Sequence, residues 1–178
     1  MTLLEDRVAL ADRVKALEER AKLHDDREAI LRTIYAYSYN LDHATTPDEF
    51  ADCFTESALW WSSVEGTYGG TAGGLRLEGR PAIAEWFMAS GRGTPAWKAA
   101  RLNSKHYIVA PNIVIDGDRA TAVSLMLAIR EHKDGPYIHA MGRYYDELVR
   151  CPDGRWRFQQ RHLGREGASV DAQARRIG

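Results

Sequence analysis

The chain has 178 residues, 44% of them hydrophobic and 28% charged, and a formal net charge of −1, which describes one globular domain able to bury a sizeable core. Near-equal numbers of acids and bases exclude the electrostatic footprint that nucleic acid or an anionic membrane surface calls for. No apolar run approaches bilayer length, and charges interrupt the N-terminus where a signal peptide needs an apolar stretch, so a cytoplasmic protein with no membrane partner is expected.

Leu3, Leu10 and Leu17 recur every seven residues, with Val14 and Ala21 at the four-residue offset. This is an amphipathic helix over residues 1–24, too short for an independent coiled coil, so it packs on its own domain or on the same helix of a partner subunit. A homodimer or homotrimer is expected. The charged segment His24-Asp25-Asp26-Arg27 reads as a break, and its acidic pair suits a new helix N-terminus.

In the helix that follows, Ile30, Ile34, Tyr37 and Leu41 share one face, while Tyr35, Ser38 and Asp42 share an adjacent one. On spacing alone, the commoner meaning of Asp42 is a solvated helix-terminal carboxylate. Thr46-Pro47-Asp48-Glu49 is a capping box that launches a helix through Phe50 and Cys53-Phe54. The stretch 58–63, Ala-Leu-Trp-Trp-Ser-Ser, reads as a strand by its aromatics. Gly66 to Gly74 is too rich in glycine for a regular element and lacks the ending of a phosphate loop, so a loop or lid is expected. Leu75 to Leu77 is a short strand, and Gly79-Arg80-Pro81 opens a helix through Ile83, Trp86 and Phe87 that Gly91 and Gly93 end.

From there the chain turns to strands. Lys105 to Ile115 and Ala120 to Glu131 are joined by the hairpin signal Asp116-Gly117-Asp118; Tyr137 to Arg150 and Arg155 to about His162 follow across two further turns. Helices followed by an antiparallel meander make an α+β fold: a cone-shaped barrel whose curved, mostly antiparallel sheet wraps the N-terminal helices around a cavity. Strand alternation puts Tyr137, His139, Met141, Arg143 and Tyr145 on one face of their strand, with Ile138, Ala140, Gly142 and Tyr144 on the other. His106 opens its own strand, sharing a side with Ile108 and Ala110. A lone strand histidine is more often structural than catalytic. Cys53 and Cys151 are too few and too far apart for a disulfide framework or a zinc site, and no metal is expected.

The order of short motifs resembles the SnoaL-like branch of the nuclear transport factor 2-like superfamily, which includes scytalone dehydratase, bile-acid dehydratase and hexachlorocyclohexane dehydrochlorinase. The motifs are Tyr37-x4-Asp42, Gly79-Arg80-x2-Ile83, and His106 followed by Pro111-Asn112-x2-Ile115-Asp116-Gly117-Asp118. Gly142-Arg143-Tyr144-Tyr145-Asp146 and Asp153-Gly154-Arg155-Trp156-Arg157-Phe158 complete the series. The likeness covers residues 25–165 as a domain, leaving 1–24 as a helical extension and 166–178 as a polar tail. It implies an Asp42–His106 dyad in which the carboxylate orients and charges the imidazole, and a reaction that needs no cofactor. It also implies roles for Tyr37, His139 and Arg165 at a departing or enolate oxygen. Trp60, Trp61, Trp86, Phe87, Met126, Met141 and Tyr145 then line a pocket for a hydrophobic cyclic substrate of steroid, terpenoid or aromatic polyketide type, although each alone reads equally as core. The reading from another class is a non-catalytic binding or assembly module, since one fold hosts both; a dioxygenase small subunit is a third.

Overall fold

A computed structural model describes residues 3–44, 46–62, 74–89 and 104–166. Helix α1 runs without interruption over Leu3–His43, 41 residues. The expected break at 24–27 therefore lies inside one helix, and the reason is tertiary. Asp26 is buried, pairs with Arg150 at 2.5 Å and accepts a hydrogen bond from Trp156 Nε1 at 3.4 Å, while Lys22 one turn earlier approaches it at 3.4 Å. The carboxylate that looked like a helix start instead fastens the middle of a helix to the sheet.

Helix α2, Pro47–Ala51, begins as the sequence indicates: Thr46 Oγ1 accepts from the Glu49 amide and the Glu49 carboxylate accepts from the Thr46 amide, both at 3.3 Å. It ends sooner than expected. Phe54 belongs to strand β1, Phe54–Ser62, because the backbone there is taken up by pairing with a distant strand, beginning with Phe158 N donating to Cys53 O at 2.9 Å. Strand β2, Leu75–Glu78, and helix α3, Arg80–Ala89, follow, with Gly79 between them at φ 83, a conformation that suits a residue without Cβ. The Gly66 to Gly73 part of the glycine loop, the helix end at Gly91 and Gly93, and residues 167–178 of the tail lie outside the described residues.

Strands β3 (Ser104–Asp116), β4 (Arg119–Arg130), β5 (Tyr137–Arg150) and β6 (Trp156–Glu166) form the expected meander of three antiparallel hairpins. β6 runs several residues beyond His162. The sheet order is β2-β1-β6-β5-β4-β3, antiparallel except where β1 lies parallel to β6. The result is an α+β cone: an open, curved sheet, not closed into a barrel, with α1 against its inner face through β3 and β6. β3 is an edge strand, and its pairing with β4 slips between Val109 and Asn112, where Ala110 takes φ 50 ahead of Pro111.

Alternation holds along β4 and along β5 from Met141 to Leu148, but breaks at the start of β5, where Tyr137 and Ile138 are both exposed and the β4–β5 register shift falls at His139. Gly142, Tyr144, Asp146 and Leu148 of β5 are buried, while Met141, Arg143, Tyr145 and Glu147 are exposed. Ile30, Ile34, Tyr37 and Leu41, the face expected from helical spacing, are at most 2% exposed and meet Phe50, Phe54, Trp60, Phe87, Tyr144 and Phe158 in one core. Within it Arg161, fully buried, lies with its guanidinium carbon 3.8 Å from the ring centre of Tyr144 and 4.0 Å from that of Tyr37. Asp146 is its ion partner at 3.1 Å.

Candidate active site

Asp42 closes the last turn of α1, where the helix passes the edge strand β3. Its two carboxylate oxygens hold a single residue. Oδ2 accepts from the backbone amide of His106 at 2.7 Å, and Oδ1 lies 2.7 Å from His106 Nδ1. One turn earlier on the same helix face, Ser38 Oγ donates to the His106 carbonyl at 2.5 Å. Three contacts from one helix thus fix the backbone and the ring of His106 together. The His106 and Asp42 side chains are 7% and 4% exposed.

This geometry sets the chemistry of the imidazole. A carboxylate facing Nδ1 places the ring hydrogen there, leaving Nε2 as the acceptor of the neutral ring. The pair lies in the wall of an open groove of about 380 Å³, between α1 and β3, lined also by Tyr35, Ser38, Tyr39, His43, Lys105, Tyr107 and Ile108. Tyr35, Ser38 and Asp42, placed on one helix face by spacing, share this groove. Lys105 and Tyr107 were not singled out from sequence. Helical steps of three and four from Asp42 point to Ser38 and Tyr39, whereas the strand residues depend on a pairing only the fold reveals.

The other expected site residues separate into groups. Met126 is buried on the dyad's side of the sheet: His106 stands opposite Ala128, and Ile108, two residues on, stands opposite Met126. The same rung continues through Gly142 to Arg165, so Arg165 occupies a register position level with Met126. Tyr37, Trp86 and Phe87 are drawn into the aromatic core. Tyr37 accepts from Trp60 Nε1 at 3.1 Å, Trp86 stacks on Trp60 with ring centres 5.5 Å apart, and Phe87 stacks on Phe50 at 4.7 Å.

Met141 and Tyr145 point from β5 to the outer face, where they are 46% and 42% exposed. Trp61 joins that outer row, lying flat on His162 with ring centres 3.5 Å apart, and Tyr145 stacks on the other side of the row at 5.5 Å from His162. Burial in this stack holds the His162 imidazole below its ordinary value. His139 sits at the register shift between β4 and β5, between Ile138 and Ala140, and its ring meets Tyr137 edge-on at 6.4 Å. Alternation tells which β5 residues travel together. It carries no sign for which face turns inward.

A family model for the SnoaL-like domain matches residues 23–162. The chain belongs to the SnoaL-like domain family. Solved structures agree with this fold. An NTF2-like protein with a cystatin-like fold from Novosphingobium aromaticivorans superposes with a TM-score of 0.68 at 21% identity, covering 89% of this chain and 93% of that one. A scytalone dehydratase-like protein from the same organism gives 0.59 at 26% identity, covering 84% and 89%. ActVI-ORFA from Streptomyces coelicolor gives 0.62 at 19% identity, covering 82% and 98%. Comparison with curated proteins returns no match. Among the described residues of this SnoaL-like chain, no helix is long and apolar enough to cross a membrane, and no group of three His, Cys, Asp or Glu is placed to hold a metal ion.

Proposed function

We propose that the protein is an acid/base enzyme of the SnoaL-like family that needs no cofactor and eliminates water from, or isomerises, a hydrophobic cyclic substrate of steroid, terpenoid or aromatic polyketide type. The observation that carries this reading is the two-point grip of Asp42 on His106 at 2.7 Å and 2.7 Å. A binding module has no need of a buried carboxylate that holds a histidine at both its backbone amide and its ring. In the elimination, His106 Nε2 takes a proton from a carbon next to an activating carbonyl, and the C–H electron pair is held as the enolate. As the carbonyl re-forms, that pair becomes the C=C bond to the neighbouring carbon while the C–O bond there breaks, and the imidazolium gives its proton to the departing hydroxyl, which leaves as water. In the isomerisation the same proton is delivered to a different carbon. The apolar residues beside His106, Ile108 and Met126, suit a hydrophobic ring system. Membership of the family and the likeness to a scytalone dehydratase-like structure support the reaction class.

The test is turnover of hydroxy-steroids, hydroxylated naphthalenones and polyketide mimics by the native chain and by His106→Ala. Conversion by the native chain that falls at least about 100-fold in the variant supports the proposal. Equal turnover by both removes His106 from the chemistry, and tight binding with no conversion favours the binding module.

A further inference from the structure

Residues 6–25 of α1 are exposed on every side, a rod of about 30 Å at 1.5 Å per residue. Such a stretch is marginal alone in water and calls for a partner. Along it Leu10, Val14 and Leu17 are 58%, 45% and 58% exposed. Written as heptads, Leu3, Leu10 and Leu17 take the d positions, followed by His24, while Val14 and Ala21 take a; Leu at d beside the β-branched Val14 at a suits two parallel strands. Arg7 takes the remaining a position, where its long stem can carry the charge past the seam to water.

We infer that this segment is a parallel coiled coil with a second copy of the same chain. Charge selects the partner. Five Asp and Glu over residues 6–25 are balanced by five Arg and Lys, so the rod has no net attraction for an anionic membrane or a polyanion. The charges are sorted, however. Arg13 and Arg20 fall at g positions, and Glu18 and Asp25 fall at the e positions they face across a parallel, in-register pair. Each chain therefore supplies both halves of each interchain pair. The fold leaves room for it: Ile30, on the side buried against the sheet, follows Leu10 and Leu17 by 20 and 13 residues, about five and a half and three and a half turns. The seam thus faces away from the domain's own sheet, and two domains can sit on opposite sides of the paired helices.

Sedimentation equilibrium of the full chain is expected to show twice the 20.0 kDa chain mass. Leu10→Asp with Leu17→Asp should raise the dimer dissociation constant at least about 100-fold, since four leucine side chains leave the interface. Both positions are exposed in the single chain, so the thermal transition of the domain should persist. Arg13→Glu should weaken the dimer, and adding Glu18→Arg should restore it. A Leu10→Cys chain should oxidise to a linked dimer when the unsubstituted chain, with Cys53 and Cys151, does not. A monomeric or trimeric native chain, an unchanged mass for the double Asp variant, failure of the charge exchange to restore association, or no linkage through Leu10→Cys overturns the proposal.

Discussion

Asp146 and Arg161 form an ion pair in which neither side chain is exposed at all. Burial pushes the Asp146 carboxyl up to about 6 against the pull of Arg161, whose guanidinium is sandwiched by the rings of Tyr37, Tyr144 and Phe158. Removing one partner leaves the other charged or polar group stranded in the core. Arg161→Leu or Asp146→Leu alone should lower unfolding free energy by about 3–5 kcal/mol, and the double variant should recover most of the loss. Denaturant titration of all four chains checks this, and additive losses would refute the pairing.

Asp42→Asn keeps the size of the side chain but removes the carboxylate that orients His106 through Nδ1. Once a substrate is in hand, kcat should fall by about 100-fold or more with KM changed far less. Nitrogen NMR of the imidazole gives a readout independent of substrate, because the tautomer now fixed by Asp42 should become mixed. Ser38→Ala is milder: it removes one hydrogen bond to the His106 carbonyl and should cost about 0.5–1.5 kcal/mol of stability.

Asp26→Asn tests the fastening of α1. Burial alone would raise the Asp26 carboxyl, but hydrogen bonds from Arg150 and Trp156 outweigh it and hold the group below its ordinary value of 3.8. A depressed carboxylate contributes stability that is complete above its unfolded value and is lost as pH falls through the folded one. The variant should lose about 1.5–3 kcal/mol at neutral pH, the range for hydrogen bonds to a charged group, and the gap to the native chain should close in strong acid. Thermal melts at neutral and acid pH measure both.

His162 has its imidazole depressed by burial, so it too contributes stability that is complete above the ordinary value of 6.5 and declines as pH drops below it. Asp146, raised by burial, acts with opposite sign between 3.8 and about 6, where rising pH removes stability. Comparing chains separates the two. His162→Phe keeps a ring against Trp61, and its melting temperature should fall less than that of the native chain between pH 8 and pH 5.

The parts of this fold legible in sequence are those decided by neighbours along the chain. The capping box at Thr46 and the hairpin at Gly117 need only a few consecutive residues, and the α1 core face needs only helical period. The continuity of α1 through Asp26 depends on Arg150 and Trp156, which are 124 and 130 residues further on, and no local pattern carries that. The site divides the same way. Spacing placed Tyr35, Ser38 and Asp42 together, while the resemblance supplied His106 as the partner. Alternation grouped Met141 with Tyr145, but only the side that α1 covers distinguishes the inner Met126 from those outer residues.

Ala110 holds φ 50 without being glycine, a conformation that costs an L-residue about 1–2 kcal/mol. Ala110→Gly should therefore raise stability by about 0.5–1 kcal/mol, less than the full strain because glycine gains freedom when unfolded. A thermal shift of the variant against the native chain tests the sign.

That strain has a use for the strand that carries His106. Among the described residues β3 is the last strand of the sheet, and an edge with Tyr107 and Val109 exposed is a template on which another molecule's strand could assemble. At Ala110 the backbone turns out of register, and Pro111 offers no amide hydrogen to an incoming chain. A ribbon growing along this edge would meet the displaced register four residues past His106, so the bulge shortens the run of backbone open to such pairing.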